Sequence, residues 1–302
     1  KCISCGACVY QCPFGALSDK SFILDAIKLL KEEKHVYAIV APAIASQFAY
    51  AKLGQIVTGI KQLGFYEVVE AALGADMVAY AEAKELAEKG FLTSSCCPAF
   101  VSYVQKQFPA LAGNVSHNMS PMATIAKFIK GVDKEAKTIF IGPCTAKKGE
   151  AQLPGVCEYV DCVMTFEELQ AVLDSREIDL TTLEETDLDN ASGFGRSFAR
   201  CGGLAEAAVE ALKEQGIDFE VKPVSCSGIE ECRLALLKAS KGRAEGNFIE
   251  GMACIGGCIN GAGCLTHGER NKNKIDAHSR QAKDKTIVES LHEAETGLEA
   301  AK

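Results

Sequence analysis

Fifteen cysteines stand in a chain of 302 residues, and most fall in short runs. The first run, CISCGACVYQCP, brings together Cys2, Cys5, Cys8 and Cys12, with Pro13 directly after. Three more are TSSCCPAF (93–100), GPCTAKK (142–148) and GMACIGGCINGAGC (251–264), the last with five glycines among its thiols. Thiolates bind soft metal centres and carry redox chemistry. Disulfides are the plain alternative. The odd count argues against them, as does a chain long enough to build a core without staples. Clustered thiols in such a chain point to metal or redox work.

The spacing of the first run separates the metals. C-x₂-C-x₂-C-x₃-C-P is the run of bacterial ferredoxins, where closely spaced thiolates wrap one face of a [4Fe–4S] cube. Zinc sites usually pair two separated C-x₂-C knuckles. In two-cluster ferredoxins the fourth cysteine of the run serves the other cluster. By that rule Cys2, Cys5 and Cys8 take a fourth ligand from upstream, and Cys12 serves a cluster held mainly by upstream residues. The chain opens on KCISCGAC with no initiator Met. Residues 1–22 are therefore expected to be the surviving half of an iron–sulfur module, with the true N-terminus missing.

The other three motifs must be positioned by what surrounds them, which from His35 onward alternates strand and helix. HVYAIVAPAI, FYEVVEAAL, KTIFIGPC, EYVDCVMT, DFEVKPVSC and NFIEGMAC read as strands. SQFAYAKLGQIVTGIKQLG, ADMVAYAEAKELAEKG, FEELQAVLDS, GLAEAAVEALKEQG and IEECRLALLKAS read as helices. That order predicts an α/β fold on mainly parallel sheets with helices on both faces. Sites in such sheets form outside the carboxyl ends of the strands. TSSCCP, GPCTAKK and GMACIGGC are each expected at such an end. Residues 176–195 are acidic and read as a surface loop; the tail after Thr266 is polar and is expected to end in the helix TIVESLHEAETGLEAAK.

Taken in order, TSSCCPAF, GPCTAKK and GMACIGGC resemble the three signature motifs of the [FeFe]-hydrogenases. FARCGGLAEAA (198–208) resembles a fourth segment of that family, and CINGAGC (258–264) extends the last. The likeness runs from about Val36 to the tail. It implies two lobes on twisted sheets in residues 23–302, divided near 130–150, with a buried cluster between them. The cofactor implied is the H-cluster: a [4Fe–4S] cube bridged by one thiolate to a diiron unit bearing CO, cyanide and an amine dithiolate.

Carried over to this sequence, the cube ligands are Cys97, Cys144, Cys254 and Cys258, with Cys258 the bridge. Cys96 is implied as the proton relay, since an ordinary thiol titrates near pH 8.5 and exchanges protons close to neutrality; the plain alternative is a small buried hydrophobe. The family's proton path matches Glu85, Ser116 and Glu82, in that order from the surface. Glu82 and Glu85 are three apart and share a helical face; a solvated face with Glu85 paired to Lys89 is the alternative. Lys147 matches the lysine that hydrogen-bonds a cyanide, while Lys148 reads as a surface charge. Ala41, Pro42, Ala43 and Met252 match pocket-lining positions, with Phe198, Ser120 and Pro121 nearby. Gly256 and Gly257 would let the backbone close around inorganic sulfur and iron.

Several positions depart from the family. Gly142 stands where well-studied members have methionine, Met122 and Cys264 where many have glutamine, and Ala43 removes a hydroxyl. They suggest a less-studied branch with a modified outer shell. Cys157, Cys162, Cys201, Cys226 and Cys232 read as free buried thiols, and His117 as structural or solvent-facing. The implied reaction is reversible formation of H₂ from protons and electrons. A ferredoxin or similar low-potential carrier would deliver the electrons, and maturation proteins would install the diiron unit. A slow H₂ sensor and a non-catalytic iron–sulfur assembly factor are the alternatives. The formal charge of −8 argues against a nucleic-acid surface. No apolar run is long enough to span a membrane, so a cytoplasmic protein is expected.

Overall fold

The computed structural model describes residues 2–300. Seven strands are named in chain order: β1 (Val36–Val40), β2 (Glu67–Glu70), β3 (Leu92–Thr93), β4 (Lys137–Gly142), β5 (Cys162–Thr165), β6 (Pro223–Ser227) and β7 (Phe248–Met252). They form two sheets, ordered β2-β1-β4-β5 and β3-β7-β6, and every pairing is parallel. The helices are α1 (Ala7–Tyr10), α2 (Ile23–Glu32), α3 (Leu53–Gln62), α4 (Ala71–Lys89), α5 (Pro98–Gln107), α6 (Pro121–Val132) and α7 (Ala146–Glu150). After them come α8 (Phe166–Ser175), α9 (Gly193–Ser197), α10 (Gly203–Glu214), α11 (Ile229–Ser240), α12 (Arg270–Arg280) and α13 (Ile287–Ala300).

The expected α/β architecture holds. A boundary near 130–150 does not separate the two sheets, however. That interval contains β4, a central strand of the first sheet, while the second sheet takes β3 from before it and β6 and β7 from after it. The chain crosses between the lobes more than once, and its long helix α4, half of whose residues are fully enclosed, lies at the crossing. One hydrophobic core surrounds the first sheet; two smaller ones flank the second.

Individual elements end where their chemistry requires. The strand read from HVYAIVAPAI stops at Val40, because Pro42 has no N–H for the ladder and opens a 3₁₀ turn over Pro42–Ser46. In FYEVVEAAL the alanines belong to α4, so β2 is only four residues long. β6 begins at Pro223, later than DFEVKPVSC suggests. FEELQAVLDS is helical as read, held by a capping box between Thr165 and Glu168.

The acidic segment 176–195 is not simply a surface loop. Leu180, Ala191 and Ser192 are buried, and Asp189 accepts a 2.6 Å hydrogen bond from Arg196. Arg196 is itself buried and donates to both oxygens of Glu70 at 2.9 and 3.0 Å. The local negative charge therefore serves an internal guanidinium rather than water. Asp76 of α4 accepts from Ser192 N, Ser192 Oγ and Ser290 Oγ at 2.8, 2.6 and 2.9 Å, fastening this segment and the tail to the centre. The tail forms α12 and then α13; the last two residues of the helix read from sequence lie outside the described residues.

Candidate metal centre

The ends of β1, β3, β4 and β7 meet at one cavity. The parallel register brings this about. Val40 of β1 pairs with Ile141 of β4, so both strands release their chains side by side, at Ala41 and at Pro143–Cys144. On the second sheet Ser94 donates its N–H to Ile249 O, and its hydroxyl accepts from Gly251 N. This extends β3 along β7 and sets Cys96 and Cys97 beside Met252–Cys254. Cys97 is the N-cap residue of α5. Cys254 and Cys258 flank a turn closed by Gly257 N–H donating to Cys254 O at 3.1 Å.

All four expected cube ligands, Cys97, Cys144, Cys254 and Cys258, line this cavity. So do Cys96, Lys147, Ala41, Pro42, Ala43, Pro121, Met122, Phe198, Met252 and Gly257. Apart from the four cysteines, Cys96 and Lys147 are the lining residues whose side chains carry an exchangeable proton; the rest of the wall is apolar apart from backbone. Ser120 is not on the wall: it is buried and caps α6 by accepting from Ala123 N. Gly142 is not on it either. A Cβ there would lie 2.5 Å from the Phe140 ring and 3.1 Å from Ala41 Cβ. Phe140, two residues back on the same face of β4, fills the space and lines the cavity in its place.

The donor set suits a cluster. Among the described residues no three His, Cys, Asp or Glu side chains converge closely enough to hold one ion, as a closed zinc site would require. Burial first, and then the charge of Cys97, pushes the Cys144 thiol up to about 11, with Lys147 pulling the other way. Burial and neighbouring thiols push Cys254 and Cys258 in the same direction. Cys144, Cys254 and Cys258 thus stay protonated until a cationic centre replaces their protons. Four thiols around a space larger than one ion fit a [4Fe–4S] cube.

From this cavity a line of polar groups leads outward along α4. Glu82 is fully buried, and neither carboxyl oxygen has a hydrogen-bond partner among the described residues. Burial pushes it up to about 8; Ser116 and the Ser95 amide sit close enough to offset part of the rise without making a bond of good geometry. It is therefore a neutral acid near pH 7. Its charge, when present, bears on Cys96, whose thiol burial and Glu82 together push upward. Glu85, one turn further out, accepts from Ser116 Oγ at 2.8 Å and Lys89 Nζ at 2.7 Å. Burial raises it, but Lys89, Ser116 and the His117 amide hold it below the usual carboxylate range. His117 faces solvent, as expected. Asn118 was not singled out in the sequence; it donates to Glu85 at 2.9 Å and Ser116 at 3.0 Å.

Glu82 has a consequence for stability. The unfolded chain ionises this residue near its ordinary value of 4.5, while the folded chain keeps it neutral to about 8. Folding is thus opposed progressively as pH rises through that window, by about 1.4 kcal/mol per unit at most. Glu82→Gln should gain stability over the parent chain between pH 6 and 8, and the gain should level off above pH 8. Denaturant midpoints of the metal-free proteins across that range measure it; a pH-independent difference would contradict the burial of an acid here.

Lys147 is buried, donating to Glu150 Oε2 at 2.7 Å and Cys96 O at 3.2 Å. Burial lowers its pKa, but the Glu150 charge more than compensates, so the ammonium persists. Lys148 is not the surface charge its sequence suggests. It is buried, with Asp19, Glu168 and the Lys20 carbonyl around its Nζ. Gly257 lines the cavity, and at φ +100° a Cβ there would strike Cys201 N at 2.6 Å, so the glycine makes room for the backbone at Arg200–Cys201. Cys162, Cys226, Cys232 and Cys264 are buried as expected, Cys201 is half-buried, and Cys157 is exposed. Glu250 was missed: buried on β7, it accepts from Gly202 N, Ala205 N and Ser225 Oγ, tying α10 to the strand that carries Cys254. An acid within an apolar strand was the available signal.

In the first segment α1 follows Gly6; Cys2 and Cys8 are exposed, and Cys5 and Cys12 half-buried. No helix among the described residues is long and apolar enough to cross a membrane.

Comparison with known proteins agrees with this geometry. Residues 34–262 match the family "Iron only hydrogenase large subunit, C-terminal domain", and residues 1–18 match a 4Fe-4S binding domain. Iron hydrogenase 1 of Clostridium pasteurianum is 31% identical over 87% of this chain, which spans 56% of that protein's length. The cytosolic Fe-S cluster assembly factor NAR1 of Eremothecium gossypii is 29% identical over 59% of this chain and 43% of its own. The solved [FeFe]-hydrogenase HydA1 of Chlamydomonas reinhardtii shares the fold, with a TM-score of 0.75 at 22% identity over 91% of this chain and 93% of that one. With the family match covering most of its length, from before β1 to beyond Cys258, the chain belongs to the iron-only hydrogenase large-subunit family.

Proposed function

We propose that the chain is a hydrogenase that interconverts two protons and two electrons with H₂. The observation carrying this reading is the cavity wall. Beside the four thiols it presents two proton-bearing side chains, Cys96 and Lys147, and a neutral buried acid, Glu82, lies behind one of them. A cluster that only stores or passes electrons requires neither. Cys97, Cys144, Cys254 and Cys258 would hold the cube, with Cys258 bridging to the diiron unit. When bound, that unit supplies the H–H chemistry. Glu85 collects a proton at the surface, Ser116 and Glu82 carry it inward, and Cys96 holds it at the cavity. Lys147, fixed by Glu150, places a positive charge where an anionic ligand is stabilised without water. The apolar wall from Ala41–Ala43, Met122, Phe140 and Phe198 excludes solvent.

The proton couple falls about 59 mV per pH unit, to near −0.4 V at pH 7, and iron–sulfur clusters reach below this. We assign electron delivery to a ferredoxin or similar carrier through Cys2, Cys5, Cys8 and Cys12, installation of the diiron unit to maturation proteins, and the protein to the cytoplasm. The likeness to NAR1 favours a second reading, an iron–sulfur assembly factor, in which Cys96 and Glu82 have no task. Hydrogen evolution from reduced viologen by the matured chain separates the two. Turnover is expected; fully loaded cubes without any turnover would favour the assembly role.

A further inference from the structure

The N-terminal iron–sulfur segment lies against three stretches that follow cavity cysteines: 145–148 after Cys144, 262–267 after Cys258, and α5 after Cys97. Thr145, next to Cys144, reaches the Ser4 carbonyl with its hydroxyl at 3.5 Å. Gly6, at φ +75°, has no room for a Cβ, because Thr145 Oγ1 and Ala262 Cβ occupy that space. Ala262 lies just beyond Cys258; there His267 is held on the Gly261 carbonyl at 2.9 Å and stacks on Tyr10 with ring centres 4.0 Å apart. Lys106, on the helix capped by Cys97, donates to the Cys2 carbonyl at 2.7 Å. At the far end of the segment Lys148 donates to Asp19 Oδ2 at 2.6 Å, Lys20 O at 2.9 Å and Glu168 Oε1 at 2.9 Å. Glu168 also accepts from the Phe22 amide at 3.2 Å.

We propose that the pentapeptide 144–148 is the joint that seats the N-terminal iron–sulfur loop on the cavity wall, with Lys148 as its positioning residue. Within five residues, one side chain binds the cavity cluster, one touches the N-terminal loop, one faces the cavity and one grips the junction at 19–22. An ammonium has three N–H donors, and all three of Lys148 are used. Burying a charge is costly unless every donor is met, so this arrangement holds the junction only while Asp19, Lys20 and Glu168 stay in place. A neutral side chain of similar length would fill the space without gripping the junction. The thiols on either side of the joint would hold the two clusters of a one-electron transfer, in which the N-terminal one would be oxidised and the cavity one reduced with no bond formed or broken. Its rate depends on the separation that the joint fixes.

This inference rests on the iron–sulfur reading of both ends but does not need the diiron unit. The full chain, reconstituted with iron and sulfide in the presence of an exogenous thiol that supplies the fourth ligand beside Cys2, Cys5 and Cys8, and reduced with dithionite, should show spin coupling between its N-terminal cluster and the cavity cube by electron paramagnetic resonance. In Lys148→Met that coupling is lost, leaving the sum of two isolated spectra, and tryptic cleavage after Lys20 speeds up about tenfold. Asp19→Asn leaves Lys148 in place and should weaken the coupling in the same direction, so it decides the matter if Lys148→Met fails to fold. A parent chain without coupling, or coupling and cleavage unchanged in the variant that folds, overturns the proposal. Absence of H₂ turnover in the matured chain would count against the hydrogenase reading and leave this result standing.

Discussion

Replacing Cys144 with alanine will remove about four iron atoms per chain, with their sulfide, and leave the fold standing. Cys144 follows β4 and lies on the cavity wall with Cys97, Cys254 and Cys258. A cube exposes four iron corners and five cysteines line the cavity, so Cys96 is the one spare thiol on the wall. Cys96, next to Cys97, is the nearest substitute by sequence, but it belongs to the β3 end and not to the β4 end. Cys264 is turned away, its Sγ donating to the Ile259 carbonyl at 3.4 Å. Losing the thiol costs the packed structure about 1 kcal/mol. β4 is held by full register with β1 and β5, which does not involve Cys144. Iron and acid-labile sulfide assays on reconstituted protein measure the loss, and circular dichroism checks the fold. Full iron content in a folded variant would contradict the ligand assignment.

Removing the Cys96 thiol should act quite differently. Cys96→Ala is expected to keep the cavity cube and lower H₂ turnover by about 10²–10⁴-fold, the usual worth of a positioned proton donor. The thiol lines the cavity, and its main-chain carbonyl is held by Lys147 at 3.2 Å. The acid behind it, Glu82, has no hydrogen-bond partner among the described residues. Without Cys96 the inner end of the line from Glu85 and Ser116 stops at an apolar wall. Lys147 does not replace it, because its ammonium is paired with Glu150 at 2.7 Å. Turnover within twofold of the parent would remove Cys96 from the proton path.

Much of this arrangement was legible in the sequence, for a physical reason. Ligand cysteines must lie at strand ends, and strand–helix alternation marks those ends directly. The strands before Pro143 and Cys254, and the helices FEELQAVLDS and IEECRLALLKAS, follow from periodicity and capping. Less legible were features that depend on what lies opposite a residue in space. Lys148 reads as a surface charge because Asp19 and Glu168 are distant in sequence. The acidic stretch 176–195 reads as solvated because the guanidinium that Asp189 serves points into the core. Gly142 reads as a lost methionine until Phe140 is seen in its space. The lobes read as consecutive because a sequence does not reveal that β3 pairs with β7 across more than 150 residues.

Infrared spectroscopy of the chain matured with its diiron unit tests the central claim most directly. Carbon monoxide and cyanide on iron absorb where protein does not, so their bands report whether the cavity of Cys97, Cys144, Cys254 and Cys258 accepts the H-cluster. Such bands are expected in the parent chain and in Cys96→Ala, and their loss in Cys144→Ala. A matured chain that holds its cubes and shows no CO or cyanide bands would contradict it.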